Sequence, residues 1–429
     1  MFVVIVTIFF VLLFAGLPVA FALGVTGMAG LYFSPGGSGL LAILPQEIFR
    51  SLSNFPMLTI PLFILAGTIM AQGGIGKRLT DFAEATVGRG KGGLGVSVIV
   101  STMFFHGISG STTADTAAIT RVALPSLVKQ GYPVTFATAL IAASGATATL
   151  IPPTIDLIII GVVANISIAG LFAAGVVPAI INGLALIAYV LYVSVKRNYG
   201  RMSRTSLLQM YRALIKAIPA LAMIVIILGG ILGGVFTPTE ASAVAVAYAL
   251  VVSIFVYRDL TWANIPGIIR GTLELTGMVL LLIGTGAVLS YSMSFNGVPG
   301  QIAVGLQQLA SNKFVFLLLV QAIFFIVGMI MDATPALLVL MPILTPIAVD
   351  YGVQPIHFGI LVEANVALHM AMPPAGLALY AACAVSRVPI ETVVRPLLPM
   401  IVILTLTMLV ITYIEQFSMW LPRLLQLVD

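Results

Sequence analysis

Four short stretches of this chain place oxygen-bearing groups at spacings suited to ion or anion chemistry. Gly107-Ile108-Ser109-Gly110-Ser111-Thr112 crowds hydroxyls among small residues. Hydroxyl and carbonyl oxygens on a backbone that permits close approach suit a hard cation such as sodium. The plainer explanation is small-residue helix packing, common in membranes. Gly145-Ala146-Thr147-Ala148-Thr149 and Ala367-Leu368-His369-Met370 each stand just before a proline pair, Pro152-Pro153 and Pro373-Pro374. Proline has no N–H to donate, so carbonyls one turn earlier are freed. Asp332 lies between two apolar runs, where an ionisable side chain is costly and is a functional candidate by default. Its rival role is helix capping.

The remaining polar candidates are more ambiguous. Asp115 lies one turn past Ser111 and suits a helix N-terminus, where the macrodipole favours an acid. Asp156 follows the first proline pair by three residues and is open to the same two explanations. Asn165 and Ser167, at the end of the same segment, could reach a polar ligand. Arg121 could clamp a carboxylate bidentately, pair with Asp115, or snorkel to the interface. His369 suits a structural role or the loan of its carbonyl. His106 and His357 stand near segment ends and are expected at the interface.

These residues need a scaffold, and the composition says which kind. Of 429 residues, 60% are hydrophobic and 8% charged, against about 45–50% and about 25% in soluble domains. A water-soluble enzyme, a disordered chain and a disulfide scaffold are excluded; the single cysteine, Cys383, sits in an apolar run. The apolar runs are continuous, which excludes a β-barrel. An all-α polytopic membrane protein remains, with roughly ten or more segments of spanning length by the twenty-residue rule. Lys196, Arg197, Arg201, Arg204, Arg212 and Lys216 fall in one loop, 196–216, without an acid. That marks the loop as cytoplasmic, and a nucleic-acid role for the basic charge fails. The apolar N-terminus has no basic n-region and no cleavage site, so it is expected to be a retained helix.

Spans are expected within 1–33 (interrupted at Gly16 and Pro18), at 56–72, 168–194, 218–236, 238–257, 275–295 and 396–421. Lys77, Arg78, Asp81, Glu84, Arg89 and Lys91 suggest an interfacial amphipathic helix. Thr237-Pro238-Thr239-Glu240 predicts a capping box. Asn296 to Gly300 predicts a turn. The pieces 93–108 and 113–129 are marginal for a full crossing and suggest a re-entrant hairpin, followed by 133–163, broken at its proline pair. The pieces 314–331 and 336–349, followed by 356–386, repeat the pattern. At an offset of 221, Gly107 falls on Gly328, Pro125 on Pro346, Gly131 on Gly352, Pro152-Pro153 on Pro373-Pro374, and Pro178 on Pro399. Chance at this chain's Gly and Pro frequencies, which exceed the usual ~7% and ~5%, gives about one such coincidence. Duplicated halves with paired interrupted helices are the mark of secondary transporters. Freed backbone groups are tolerated in hydrocarbon only within protein or at an aqueous cavity. The offset sets Asp332 opposite Ser111, so the two tips are expected to face one substrate. It also predicts two or more sodium sites, one per repeat: Ser109, Gly110, Gly145 and Ala148 in the first; Gly328, Asp332, Thr334, Ala367 and Met370 in the second.

GISGSTTADTAAI (107–119), IPPTIDLIIIG (151–161), SIAGLFAAGVVPA (167–179), FTPTEASA (236–243) and MPPAGLALY (372–380) resemble the large membrane subunit of tripartite ATP-independent periplasmic (TRAP) transporters, over nearly the whole chain. Thr154, Asp156 and Ala378 depart from the family pattern. The resemblance implies sodium-coupled uptake of an organic acid across the bacterial inner membrane. It implies two partners, a small four-helix membrane subunit and a periplasmic substrate-binding protein, and an elevator motion of a transport domain against a scaffold. An acidic sugar such as a sialic acid is narrowly favoured over a C4-dicarboxylate; the alternative is a sodium-coupled carboxylate transporter working without a binding protein. The corresponding divisions are scaffold helices in 1–92, transport repeat 1 in 93–166, scaffold helices in 167–313, transport repeat 2 in 314–387, and a C-terminal helix in 388–429. An intramembrane protease built on Gly107-Ile108-Ser109-Gly110 and His369 is disfavoured, because the repeat sets Ile330 opposite Ser109. A channel needs a ring or filter from several subunits. An ATP-driven permease would need its nucleotide site on another chain.

Overall fold

The computed structural model describes residues 1–88, 90–200, 206–374 and 376–428; the basic-loop residues Arg201 and Arg204, and Arg89 of the interfacial cluster, lie outside them. All regular structure among the described residues is helical. The first half contains α1 (Phe2–Phe14), α2 (Val19–Tyr32), α3 (Leu44–Leu52), α4 (Thr59–Gln72), α5 (Ile75–Val87), α6 (Gly93–Ser109), α7 (Thr112–Lys129), α8 (Val134–Ala148), α9 (Ile155–Val163) and α10 (Ile168–Arg197). The second contains α11 (Leu207–Leu232), α12 (Pro238–Val251), α13 (Ile265–Phe295), α14 (Val298–Leu309), α15 (Lys313–Gly328), α16 (Ala333–Asp350), α17 (Pro355–Met370), α18 (Leu377–Ser386), α19 (Ile390–Tyr413) and α20 (Gln416–Leu424). Seven helices are long and apolar enough to cross a membrane, by length and composition, among the described residues. That is fewer than the roughly ten segments expected. The difference lies in pieces cut short by Gly16 and Pro18, by hairpin tips and by the proline pairs, which stop a run before it reaches about 20 residues.

Local chemistry sets the boundaries. Thr237 and Glu240 form the expected capping box: the Thr237 N–H donates to Glu240 Oε2 at 2.8 Å, and the Glu240 N–H to Thr237 Oγ1 at 3.3 Å. Ser167 caps α10, its hydroxyl accepting the Gly170 N–H at 3.1 Å. The expected turn from Asn296 to Gly300 is shorter than supposed. Gly297 takes a left-handed φ of 65° and α14 begins at Val298, with Pro299 in its first turn, where its missing N–H costs nothing. The closing segment is two helices, α19 and α20, rather than one span. The short helix α3 has no counterpart in the sequence-based expectation.

The duplication is visible in three dimensions. Shifting α7 (112–129) by 221 residues reproduces the bounds of α16 (333–350), and α8 then starts where α17 starts. Packing is reciprocal. Helix α2 packs on α13 while its counterpart α12 packs on α4, the counterpart of α13's second half. Likewise α7 packs on α18 and α16 on α9; α8 packs on α19 and α17 on α10. Exchanging the halves leaves these pairings unchanged, as a pseudo-two-fold relation requires. Each second half-helix of a broken pair therefore lies against the hairpin of the other repeat.

Candidate functional site

The first hairpin tip is built by a change of backbone hand. Helix α6 ends at Ser109, and Gly110 turns the chain with φ 64°, a left-handed conformation that costs L-residues about 1–2 kcal/mol. A Cβ on Gly110 would lie 2.9 Å from the Pro153 carbonyl oxygen, so the tip rests on the first proline pair. A Cβ on Gly67 of α4 would lie 2.8 Å from the Ser109 carbonyl oxygen. Helix α4 thus approaches the tip backbone to backbone. Thr112, at the start of α7, meets Thr149 through their hydroxyls at 2.9 Å, and Thr149 donates to the Gly145 carbonyl at 3.4 Å. Gly145 also lies under Thr116 and near Ala378 of α18. The predicted oxygen-bearing segments 107–112 and 145–149 are therefore brought together.

Asp115 does more than sit in the first turn of α7. Fully buried, it takes a hydrogen bond from the Ser109 hydroxyl, and its other oxygen lies 2.8 Å from His106 Nδ1. The Ser111 N–H donates to Ser109 Oγ at 3.2 Å. This corrects the interfacial placement of His106, which is 0% exposed. His357 is buried too, between Ser418 at 2.7 Å and the Thr412 carbonyl at 3.2 Å. Both histidines are inside because helix packing brings a polar partner to each, which position near a segment end does not reveal. Arg121 is exposed on α7, away from this cluster, and Asp115 takes His106 as its partner instead. Asn165 is exposed with φ 56° at the turn after α9, and the Ser167 hydroxyl is occupied by its cap.

The second tip differs. Asp332 is the residue before α16, but its carboxyl meets the Ala333 N–H and makes no side-chain cap to the following turn. Thr334 reaches across the repeats and donates to Asp156 Oδ1 at 3.5 Å. Asp332 and Asp156 are near enough to act on each other electrostatically. Beside the same tip, at the last residue of α15, a Cβ on Gly328 would meet the His369 ring, so α15 closes on the end of α17 as α6 closes on α8. Ala367 and Met370 are buried on α17, and the Met370 carbonyl lies beside Gly376. Both repeats thus present helix-end carbonyls beside a hairpin tip; the first adds hydroxyls, the second a hydroxyl and a carboxylate. That donor set is the hard-oxygen type a small cation accepts.

Two further polar groups appear on α17 that the sequence analysis does not single out. Asn365 donates to Gln321 of α15, at 2.9 Å to its carbonyl and 2.5 Å to its side chain. Gln321 donates on to the Leu361 carbonyl and the Thr412 hydroxyl. Glu363 is 0% exposed and neither carboxyl oxygen has a hydrogen-bond partner. The signal for Glu363 in the sequence is a lone acid inside an apolar run, the same signal that marks Asp332. Separately, a cavity of about 270 Å³ opens between α3, α9, α13 and α16, with Ser51, Asn54, Ser290 and Ser294 among its walls. None of the predicted substrate residues lines it.

Comparison with known proteins matches this architecture. The family model described as tripartite ATP-independent periplasmic transporter, DctM component, matches residues 6–417. The C4-dicarboxylate TRAP transporter large permease protein DctM of Pseudomonas aeruginosa is 36% identical, covering 94% of each chain. The sialic acid TRAP transporter large permease protein SiaM of Vibrio cholerae is 34% identical, covering 96% of each. Among solved structures, MtrF of Neisseria gonorrhoeae, described as illuminating a class of antimetabolite efflux pumps, superposes with a TM-score of 0.63 over 97% of this chain and 95% of that one. At 14% identity that likeness concerns the fold alone. The matched family model and full-length relatives above 30% identity establish that this chain belongs to the DctM family of TRAP transporter large permeases, and is a multi-pass transport protein of the bacterial inner membrane rather than an enzyme.

Proposed function

We propose that the chain takes up an organic acid by sodium-coupled secondary transport, working with a small membrane subunit and a periplasmic binding protein that delivers the substrate. The observation that carries this reading is the junction of each hairpin tip with a broken helix, and the bridge from Thr334 to Asp156 across the two repeats. Ser109, Gly110, Gly145 and Ala148 would hold one sodium ion; Gly328, Asp332, Thr334, Ala367 and Met370 would hold a second, largely through carbonyls. Ser111 and Asp332 at the tips, with Asp156 in the first turn of α9, would bound the substrate site. Asn165 is exposed at the turn after α9, Ser167 caps α10 and Arg121 is exposed on α7, so these three would contribute less.

The electrostatics explain the coupling. Asp332 and Asp156 form no ion pair with a basic side chain among the described residues. Two uncompensated acids repel an organic anion, and burying net charge in a low-dielectric interior is costly. Bound sodium removes that repulsion, so cation and anion bind together and the loaded domain moves with little net charge. A half-loaded domain retains the charge and stays put. The moving body in this reading is the pair of transport repeats, carried elevator-fashion past the scaffold. The substrate is a sialic acid or a C4-dicarboxylate, the classes named for the two relatives above.

Proteoliposome uptake tests this. The chain is reconstituted with its small subunit, supplied with binding protein, and offered labelled organic acids with and without an inward sodium gradient. Saturable uptake requiring sodium and binding protein is expected. Uptake needing sodium alone removes the delivery partner from the reading; uptake indifferent to sodium removes the coupling.

A further inference from the structure

Glu363 is the buried ionisable group that the sodium-coupled scheme leaves unused. It lies midway along α17, wholly buried, with both carboxyl oxygens unpartnered. Its direction follows from helix geometry. Residues four apart share a helix face, and Gly359 on that face abuts Ile160 of α9 and Leu171 of α10. Asn365 and His369, on the other side, turn to Gln321 and Gly328 of α15. Glu363 therefore lies on the face turned to α9 and α10, and the titratable group acting on it is Asp156 of α9. Helix α8 carries no titratable group, Asp332 immediately precedes α16, and Asp350 is the last residue of α16, at its far end. The charged side chains on α10, α15, α19 and α20 (Lys196, Arg197, Lys313, Glu391, Arg395 and Arg423) stand within two turns of helix ends.

Among the described residues no base and no hydrogen-bond donor reaches the carboxyl, and the ionisable group acting on it is another acid. A carboxylate there would be a bare buried charge, which this environment does not tolerate, whereas the neutral acid is tolerated. What a lone, buried carboxyl accepts in place of a base or a hydrogen-bond donor is a proton. Asp156, in the first turn of α9, is only partly buried and is the acid that acts on Glu363.

We propose that Glu363 is a proton-binding site of the transport machinery, and that a proton is carried on it in the transport cycle beside the sodium-coupled organic acid. The step is an O–H bond made to a Glu363 carboxylate oxygen on one side of the membrane and broken on the other. The proton comes from bulk water and returns to it, with no change in oxidation state. This rests on the organic-acid transport reading above, and the experiment separates the two.

Proteoliposomes holding the chain, its small subunit and binding protein are given equal sodium on both sides and an acidic step outside, with protein-free liposomes as the control for passive entry of the free acid. The wild type is expected to accumulate labelled C4-dicarboxylate or sialic acid under the pH step alone, with matched acidification of the lumen read by a trapped pH dye. Glu363→Gln, which keeps shape but binds no proton there, is expected to lose that component at least about tenfold while retaining sodium-driven uptake. If Glu363→Gln fails to assemble by gel filtration, the wild-type dye signal and Glu363→Asp decide. Sodium-driven uptake in the wild type with no response to the pH step overturns the proton site alone, as does an undiminished pH response in Glu363→Gln. No uptake under either gradient overturns both readings.

Discussion

At the first hairpin the buried acid, Asp115, has its histidine and its serine on the same hairpin, so its charge is answered within a few residues. At the second, Asp332 and Asp156 answer to no base among the described residues, and Glu363 answers to nothing. The two repeats share helix bounds to the residue at α7 and α16, and both rest a tip against a broken helix. Duplication thus copied the backbone and divergence separated the electrostatics. One half is closed by an internal partner and holds its shape. The other is left short of positive charge, which is the demand the proposed sodium coupling would fill. The Asp115 carboxyl is satisfied from within its own hairpin, whereas the acids at the second tip are not.

The comparison breaks most visibly at Asp332. Asp332→Ala is expected to abolish sodium-dependent uptake, a loss of at least about tenfold for each ~1.4 kcal/mol of lost ion or substrate affinity; unchanged sodium-dependent uptake in proteoliposomes would sink the assignment. Asp115→Ala should act first on stability. It strands the buried His106 ring without its hydrogen-bond partner, a cost of about 1–3 kcal/mol. A thermal melt in detergent should show it, and adding His106→Ala should recover part of the loss, the coupling expected of neighbours. An additive double mutant would show that the pair is not a unit. Gly328→Ala should lower melting temperature and uptake, since its Cβ would meet the His369 ring, and His369→Ala should relieve the defect. Thr237→Ala, remote from both tips, should cost about 1 kcal/mol through the lost α12 cap and leave the sodium dependence of uptake intact; a shift in that dependence would mean the scaffold helices report on the ion sites.

Much of the architecture was legible because its signals are local or linear. Proline pairs, hairpin tips with Gly and hydroxyl residues, the capping box at Thr237 and the 221-residue offset need no knowledge of which helices touch. The helices α3, α14 and α20 were harder. They are short and carry polar residues, so neither apolar length nor periodicity stands out in them. In the site, hydroxyls at 109–112 and the acid at 332 were readable by type, whereas Glu363 sits in a run whose proline pair is the stronger landmark.

What the sequence determined by itself is the solvent and the grammar: an apolar chain that must lie in a bilayer, duplicated, with breaks where proline cannot donate and glycine can reverse hand. What only the tertiary structure decided is which groups face one another. His106 finds Asp115, Arg121 turns outward, Thr334 bridges to Asp156, and Glu363 is left without a partner. The reason is physical. A helix fixes the direction of each side chain relative to its own axis, but the energy of a buried polar group depends on what the neighbouring helix brings within about 3 Å, and that is set by packing between segments up to half the chain apart.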